Sequence, residues 1–468
     1  MNQAYYSGIS GVLTHQYGLD VTADNLANVN TVGYKASTAE FADLFTKTLV
    51  SAGSGPTTNN VGIGSTLSKT TTIMQNGTLL DSERFNDLAI GGNGWFGVTK
   101  GDQQYFTRAG NFVFDEYQQV SGDVNSSMAR LVTTDGKYVM GTMLTNFSYN
   151  GSFDYGDNKI NGVSGAFVVN NATNEAELAD INAQGKLELP TRLAYPVEPT
   201  THAEFFGNIG REDLPRTISA NAVSPNNDIN RVKLVFNQHF EYTEQLDSAG
   251  NVVLDINGDP IMVPLPWDGI TWDVEASVTS NDSSIMYDLQ HGTAIFSPSG
   301  GLESMSISSL NNDGQAVNID LGTGFDGVYS IDGHNVSGSS RSNGVSGGVL
   351  KGYGINLNGV IVADFSNGRQ TAIGRVAIYH FQNDQGLNRT GDTYFQKTGE
   401  SGDPMFWRDA NGNIITGATI YSHKLENSNV RLDVGLTDMI IMQRAYQANA
   451  KVITTGDELI QKALQMHR

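Results

Sequence analysis

From Leu432 onward, apolar or small residues recur at Leu432, Leu436, Met439, Tyr446, Ala450, Ile453, Ile460 and Leu464. Gln443 and Asp457 fill the two missing places of this four-three alternation. The spacing is a heptad seam and predicts a long helix lying along another. A second stripe runs beside it through Ile441, Ala445, Ala448, Val452, Thr455, Leu459 and Ala463. One stripe serves one neighbour, so two adjacent stripes predict a helix that touches more than one; the plainer alternative is a wide-faced helix packed on its own domain. The other end of the chain keeps the same period at Tyr5, Ile9, Val12, Gln16, Leu19, Ala23 and Leu26. Both ends therefore ask for a long helical partner.

Asn25, Asn28, Asn30 and Gly33 close the first helix, because Asn and Gly tolerate the left-handed conformation at a helix end. Residues 31–83 then read as an irregular connector, with a short apolar patch at 41–45 and a Gly/Ser/Thr/Asn-rich stretch at 51–65. From Arg84 the period shortens to two. Candidate strands are 88–90, 95–98, 112–114 and 131–140, the last turning at Asp135-Gly136. Ile270 to Val278 alternates cleanly, as do Val232, Leu234 and Phe236, and Val317, Ile319 and Leu321. Asn257-Gly258 and Asn367-Gly368 are further hairpin signals. A Gly/Ser-rich stretch at 333–354 reads as a flexible connector and a domain boundary.

The organisation is nested: 1–30 with 425–468 form a helical coiled-coil domain, and 84–200 with 346–424 a discontinuous β domain. Residues 201–345 are a β domain inserted into it. The fold class is α+β, mainly β, with paired terminal coiled-coil helices flanking nested β-rich domains.

Composition narrows the function classes. The chain has 468 residues, too many for one compact core. A formal net charge of −21 and the lack of any Lys/Arg cluster argue against a nucleic-acid partner. There is no cysteine, which excludes disulfides, thiolate metal sites and cysteine nucleophiles. No positive n-region or apolar h-region follows Met1, so no cleaved secretory signal is expected. No run approaches the ~20 apolar residues of a membrane span, so no membrane insertion is expected.

Candidate chemistry is thin. Gly92-Asn-Gly94-Trp-Phe-Gly97 spells a dinucleotide fingerprint, but a β-like run follows it, and Trp95 and Phe96 would crowd a pyrophosphate. Gly344-Val-Ser346-Gly-Gly348 spells a nucleophile elbow without a preceding strand. Asp409-Ala-Asn411-Gly-Asn413 lacks the glycine and glutamate of a calcium loop and reads as a solvated turn. The eight histidines are scattered singly. No catalytic residue, cofactor or metal is expected.

Four segments carry a resemblance: "DNLANVNTVGYKASTAEF", "NDLAIGGNGWFGV", "YFTRAGNFVFDEYQQV" and "LTDMIIMQRAYQANAKVITTGDELIQ". In that order they closely resemble the bacterial flagellar rod and hook proteins, over roughly 1–145 and 350–468. Trp95 stands where Phe is usual, 121–129 looks inserted, and the 51–65 loop looks long for the family. The resemblance implies terminal helices lining a central channel, the split β domain outside them and 201–345 outermost. It implies a homopolymeric helical tube in the extracellular part of the flagellum, reached through the flagellar export apparatus. The distal rod, hook cap and hook–filament junction proteins would be its partners. The leading expectation is a hook subunit, favoured by the large insertion. A distal rod protein of the same family, or a secreted β-rich adhesin, is the alternative. The expected assembly interface is Ile9, Val12, Leu19, Leu26, Leu432, Leu436, Met439, Tyr446, Ile453, Ile460 and Leu464.

Overall fold

The computed structural model describes residues 2–44, 46–48, 60–119, 122–123, 126–151, 165–211, 215–332, 337–415 and 417–466. Helix α1 (Asn2–Ala27) and helix α2 (Leu432–Met466) stand at the two ends. Every other regular element among the described residues is a strand or a short 3-10 turn, so the fold is α+β and mainly β.

The two helices pair antiparallel. A Cβ on Gly8 would meet Ile453, one on Gly11 would meet Asn449, and one on Gly18 would meet Met442, all within 3.0 Å. One index rises as the other falls.

Where the sequence predicts an irregular connector, the chain forms a β ribbon. Ser37–Asp43 pairs antiparallel with Ser65–Thr72, and Thr46–Thr48 pairs with Asn60–Gly62. Further on, Leu79–Asp81 pairs with Lys424–Glu426. The reading failed because these strands are rich in Ser and Thr on both faces and show no apolar alternation. Threonine nonetheless suits a pleated backbone, and pairing satisfies the main-chain groups. The ribbon lies on α1, where the Thr14 hydroxyl donates to the Ser65 carbonyl at 2.8 Å. Most of the 51–65 stretch lies outside the described residues.

A 16-stranded sheet collects strands from Trp95–Tyr195 and from Gly348–Gln396. Phe96, Val98, Phe112, Ile361, Phe365 and Ile373 are among its buried residues. The Asp135-Gly136 turn closes a hairpin between Ser127–Val132 and Tyr138–Met143. Partial burial alone would raise the Asp135 pKa, but hydrogen bonds from Lys137, Thr133 and Tyr394 outweigh it and hold the carboxyl at about 2. A depressed carboxyl stabilises the fold above its ordinary 3.8 and loses that contribution as pH falls through about 2. Asp135→Asn is therefore expected to flatten the acid limb of stability between pH 4 and 2, which urea unfolding across that range would check.

A separate 10-stranded sheet runs from His202–Asn208 to Ser339–Ser342 around its own core, including Phe205, Phe236, Trp272 and Phe296. In Thr271–Ser280, Trp272, Val274, Ala276 and Val278 all point inward, as alternation requires.

The described part of the 333–354 stretch, residues 337–354, is not a loose connector. Ser339–Ser342 pairs with the strand His202–Asn208 of one sheet, and Gly348–Ile355 pairs with Val360–Phe365 of the other. Only 343–347 crosses between them. There Glu198 and Val345 exchange both backbone hydrogen bonds, at 2.9 and 2.8 Å. Asn343 accepts from the Thr201 and His202 amides at 3.0 and 3.1 Å, and Asn227 accepts from Gly347 at 2.7 Å. Glycine and serine give no side-chain pattern to read, yet their backbones pair as any others do. Residues 333–336 lie outside the described set.

Candidate assembly interface

Close approach of α1 and α2 depends on what α1 lacks. Its buried residues are Gly8, Gly11 and Gly18, which lie against Ile453, Asn449 and Met442 of α2, and Thr14, which faces the ribbon. The apolar stripe lies beside this line: Ile9, Val12, Leu19 and Leu26 are half-buried. On α2, Met439, Ile453 and Ile460 are half-buried, while Leu432, Leu436, Tyr446 and Leu464 are exposed. No described residue of α2 is buried. The second stripe is left open at Ile441, Val452 and Leu459, and Tyr6, Leu13 and Tyr17 of α1 are exposed too. Within one chain the pair thus covers one face of each helix and leaves apolar side chains in water.

The pair is held to the β domain by buried charges. The Lys35 ammonium lies 2.7 Å from one Glu426 carboxylate oxygen, and Arg108 lies 3.2 Å from the other. All three are nearly inaccessible. Further hydrogen bonds support the cations: Lys35 donates to the Gln75 carbonyl at 2.9 Å and Arg108 to the Gly92 carbonyl at 2.6 Å, while the buried Arg108 Nε has no partner among the described residues. The Gly77 amide donates to Glu426 at 2.9 Å, and the Gly33 amide to its main-chain carbonyl at 2.8 Å. Burial pushes the Lys35 pKa down, opposed by the Glu426 charge. Gly33 has φ +69°, and a Cβ there would lie 2.3 Å from the Ala109 amide nitrogen. Only glycine fits. Two asparagines pin the surrounding backbone. Asn25 accepts from Ser37 at 2.9 Å, while Asn429 accepts from Ala36 at 2.7 Å and donates to the Ile73 and Gln75 carbonyls.

Sequence reasoning missed the charge cluster and the glycine line. Lys35 and Arg108 do sit in two of the quoted segments, "NTVGYK" and "YFTRAG". Gly8, Gly11 and Gly18 keep heptad-compatible spacings of three and seven, a signal that apolar residues alone do not show.

The letters that spell catalytic motifs fall on structural ground. Trp95 is buried in a strand and donates to Asp384 at 3.0 Å. Ser346 lies at the crossing between the two sheets, and Asp409 accepts from the Asn411 and Asn413 amides in an exposed turn. Among the described residues no three His, Asp or Glu are grouped to hold a metal ion, and no helix is long and apolar enough to cross a membrane.

The two ends match family models. Residues 6–35 match "Flagella basal body rod protein", and 421–466 match "Flagellar basal body rod FlgEFG protein C-terminal". These spans hold most of α1 and all of α2, together with Lys35 and Glu426. Flagellar hook protein FlgE of Borreliella burgdorferi is 28% identical over 493 residues, covering all of both chains. The Escherichia coli protein of the same name is 26% identical over 464 residues, covering 98% of each chain. Both ends of the chain are thus similar to the flagellar rod and hook protein family. The chain's full-length similarity extends to hook proteins of this family across the middle domains as well as the ends. The crystal structure of Helicobacter pylori flagellar hook protein FlgE2 aligns with TM-score 0.45 at 14% identity, covering 74% of this chain and all of that one.

Proposed function

We propose that this chain is the structural subunit of the bacterial flagellar hook, polymerising into a curved hollow tube that transmits torque from motor to filament. The observation that carries the reading is the open apolar face of α2, on a helix whose own chain covers only its other side. Copies of the same chain supply the missing cover. In the tube α1 and α2 lie innermost, the 16-stranded sheet outside them and the 10-stranded sheet outermost. Its neighbours are the distal rod, the hook cap and the hook–filament junction proteins, and it reaches the tip through the flagellar export apparatus. The role is mechanical rather than catalytic.

Antibodies raised against residues 202–342 should decorate the short curved segment between cell body and filament in intact flagella. Decoration confined to the rod, or to the filament, would contradict the assignment.

The crossing between the sheets allows a sharper test. Because Glu198 and Val345 are already paired, removing 201–343 leaves ends that a short Gly/Ser link can close. The shortened chain is expected to be exported and to form tubes, since the α1–α2 pair and the buried charges are untouched. The tubes are expected to lose regular curvature, as measured by microscopy of isolated hooks. Normal curvature would place bending in the inner layers.

A further inference from the structure

The strands Ile229–Gln238 and Thr271–Ser280 are neighbours in the outer sheet, yet 32 residues lie between them. Residues 239–266 of that span leave the sheet as a knob. Tyr242–Glu244 pairs with Met262–Pro264, and Val253 is bonded to Gln245 on one side and Ile261 on the other. Asp247 and Asp255 cap the two tight lobes by accepting the amides of Asn251 and Asp259. The knob has no core: no residue from 240 to 266 is buried. Tyr242, Leu246, Leu254 and Met262 are each at least half exposed, and Ile256 is fully exposed. So small a sheet without a covered face is marginal alone, so something must cover it.

Charge says what. From 234 to 340 the chain has no lysine or arginine, so every formally charged side chain of the knob is acidic. The last two cations before that stretch, Arg231 and Lys233, are exposed on the outer face of the strand Ile229–Gln238, and neither makes an ion pair among the described residues. Across the sheet, Arg231 sits in register with Thr279 and Met286, and Lys233 with Ser277 and Leu289. Ile229, Met286 and Leu289 are exposed on this face. An apolar, basic patch and an apolar, acidic knob thus belong to one domain. They lie apart within the chain: the patch is five to seven residues back along the strand from the knob's root, roughly 17–23 Å.

We infer that the knob of one copy docks on the Arg231/Lys233 face of the next copy's outer domain. Two different surfaces meeting make a heterologous contact, which builds an open helical polymer when its rotation does not close a ring. Both surfaces carry apolar groups to bury and opposite charges to set register and partner choice. The inference rests on the hook reading proposed above.

The absence of cysteine gives a clean test. Tubes are assembled from the full chain carrying Ile256→Cys and Met286→Cys together, oxidised, and run on a non-reducing gel. A ladder of dimers, trimers and higher species is expected, absent from either single variant. Adding Arg231→Glu and Lys233→Glu should weaken the ladder on the order of tenfold through like-charge repulsion. Adding Asp255→Lys and Asp259→Lys as well should restore it. Tubes that form normally but give no ladder would overturn the contact and leave the hook reading intact. If the chain forms no tubes, the hook reading fails and this contact falls with it.

Discussion

Glu426→Gln is expected to destabilise the joint between the helical pair and the β domain by about 3–5 kcal/mol, the usual consequence of stripping a buried ion pair of one partner. The substitution removes the carboxylate that Lys35 and Arg108 share, both nearly inaccessible to water. The amide keeps the size of the side chain, so packing changes little and the loss is electrostatic. Exposed pairs set the comparison. Lys69 and Glu40 sit 3.4 Å apart with side chains about half in water, and Lys69→Ala is expected to cost far less than Glu426→Gln because solvent screens the pair. Urea unfolding followed at Trp95, whose ring lies 5.7 Å from the Arg108 guanidinium, would measure the difference. The core around Trp272 is a separate cluster, so its transition should not shift.

The second large effect concerns assembly rather than folding. Leu436→Asp is expected to leave the monomer folded and to abolish tube formation. Leu436 is exposed in the single chain, so an aspartate there stays hydrated. In a tube that face is covered. Each subunit would then lose about 1.5–3 kcal/mol of leucine burial and bury a carboxylate at several kcal/mol more. Ile453→Asp is the less discriminating variant, because Ile453 already packs against Gly8 within the chain. Circular dichroism and sedimentation of the Leu436→Asp protein would separate the two effects. Normal tubes from that protein would mean the open face of α2 is not an assembly surface.

These residues also show where the sequence was readable. Alternation from Ile270 to Val278 and the heptad spacings at both ends reported strands and helices, because burial on one face leaves a periodic trace. The Asp135-Gly136 and Asn367-Gly368 turns were legible because Gly136 at φ +82° and Gly368 at φ +77° take a backbone conformation that favours glycine. The Ser37–Thr72 ribbon and the strands on either side of the 343–347 crossing were not. Their pairing is carried by the main chain, and their few large apolar side chains, such as Phe41, Leu67, Leu350 and Tyr353, show no sustained alternation. The charge cluster was hidden for a different reason. Lys35, Arg108 and Glu426 are 73 and 318 positions apart, and only the folded chain brings them together. The glycine line of α1 was overlooked because a search for apolar residues passes over positions where the absence of a side chain makes the contact.

The central claim is that this chain builds a hollow tube from copies of itself with α1 and α2 innermost. Electron microscopy of the purified full chain, concentrated until it assembles, tests that most directly. The account predicts curved hollow tubes whose averaged cross-section shows paired helices around a central channel and β-rich density outside. Persistent monomers at high concentration, or solid fibres with the helices on the outside, would contradict it.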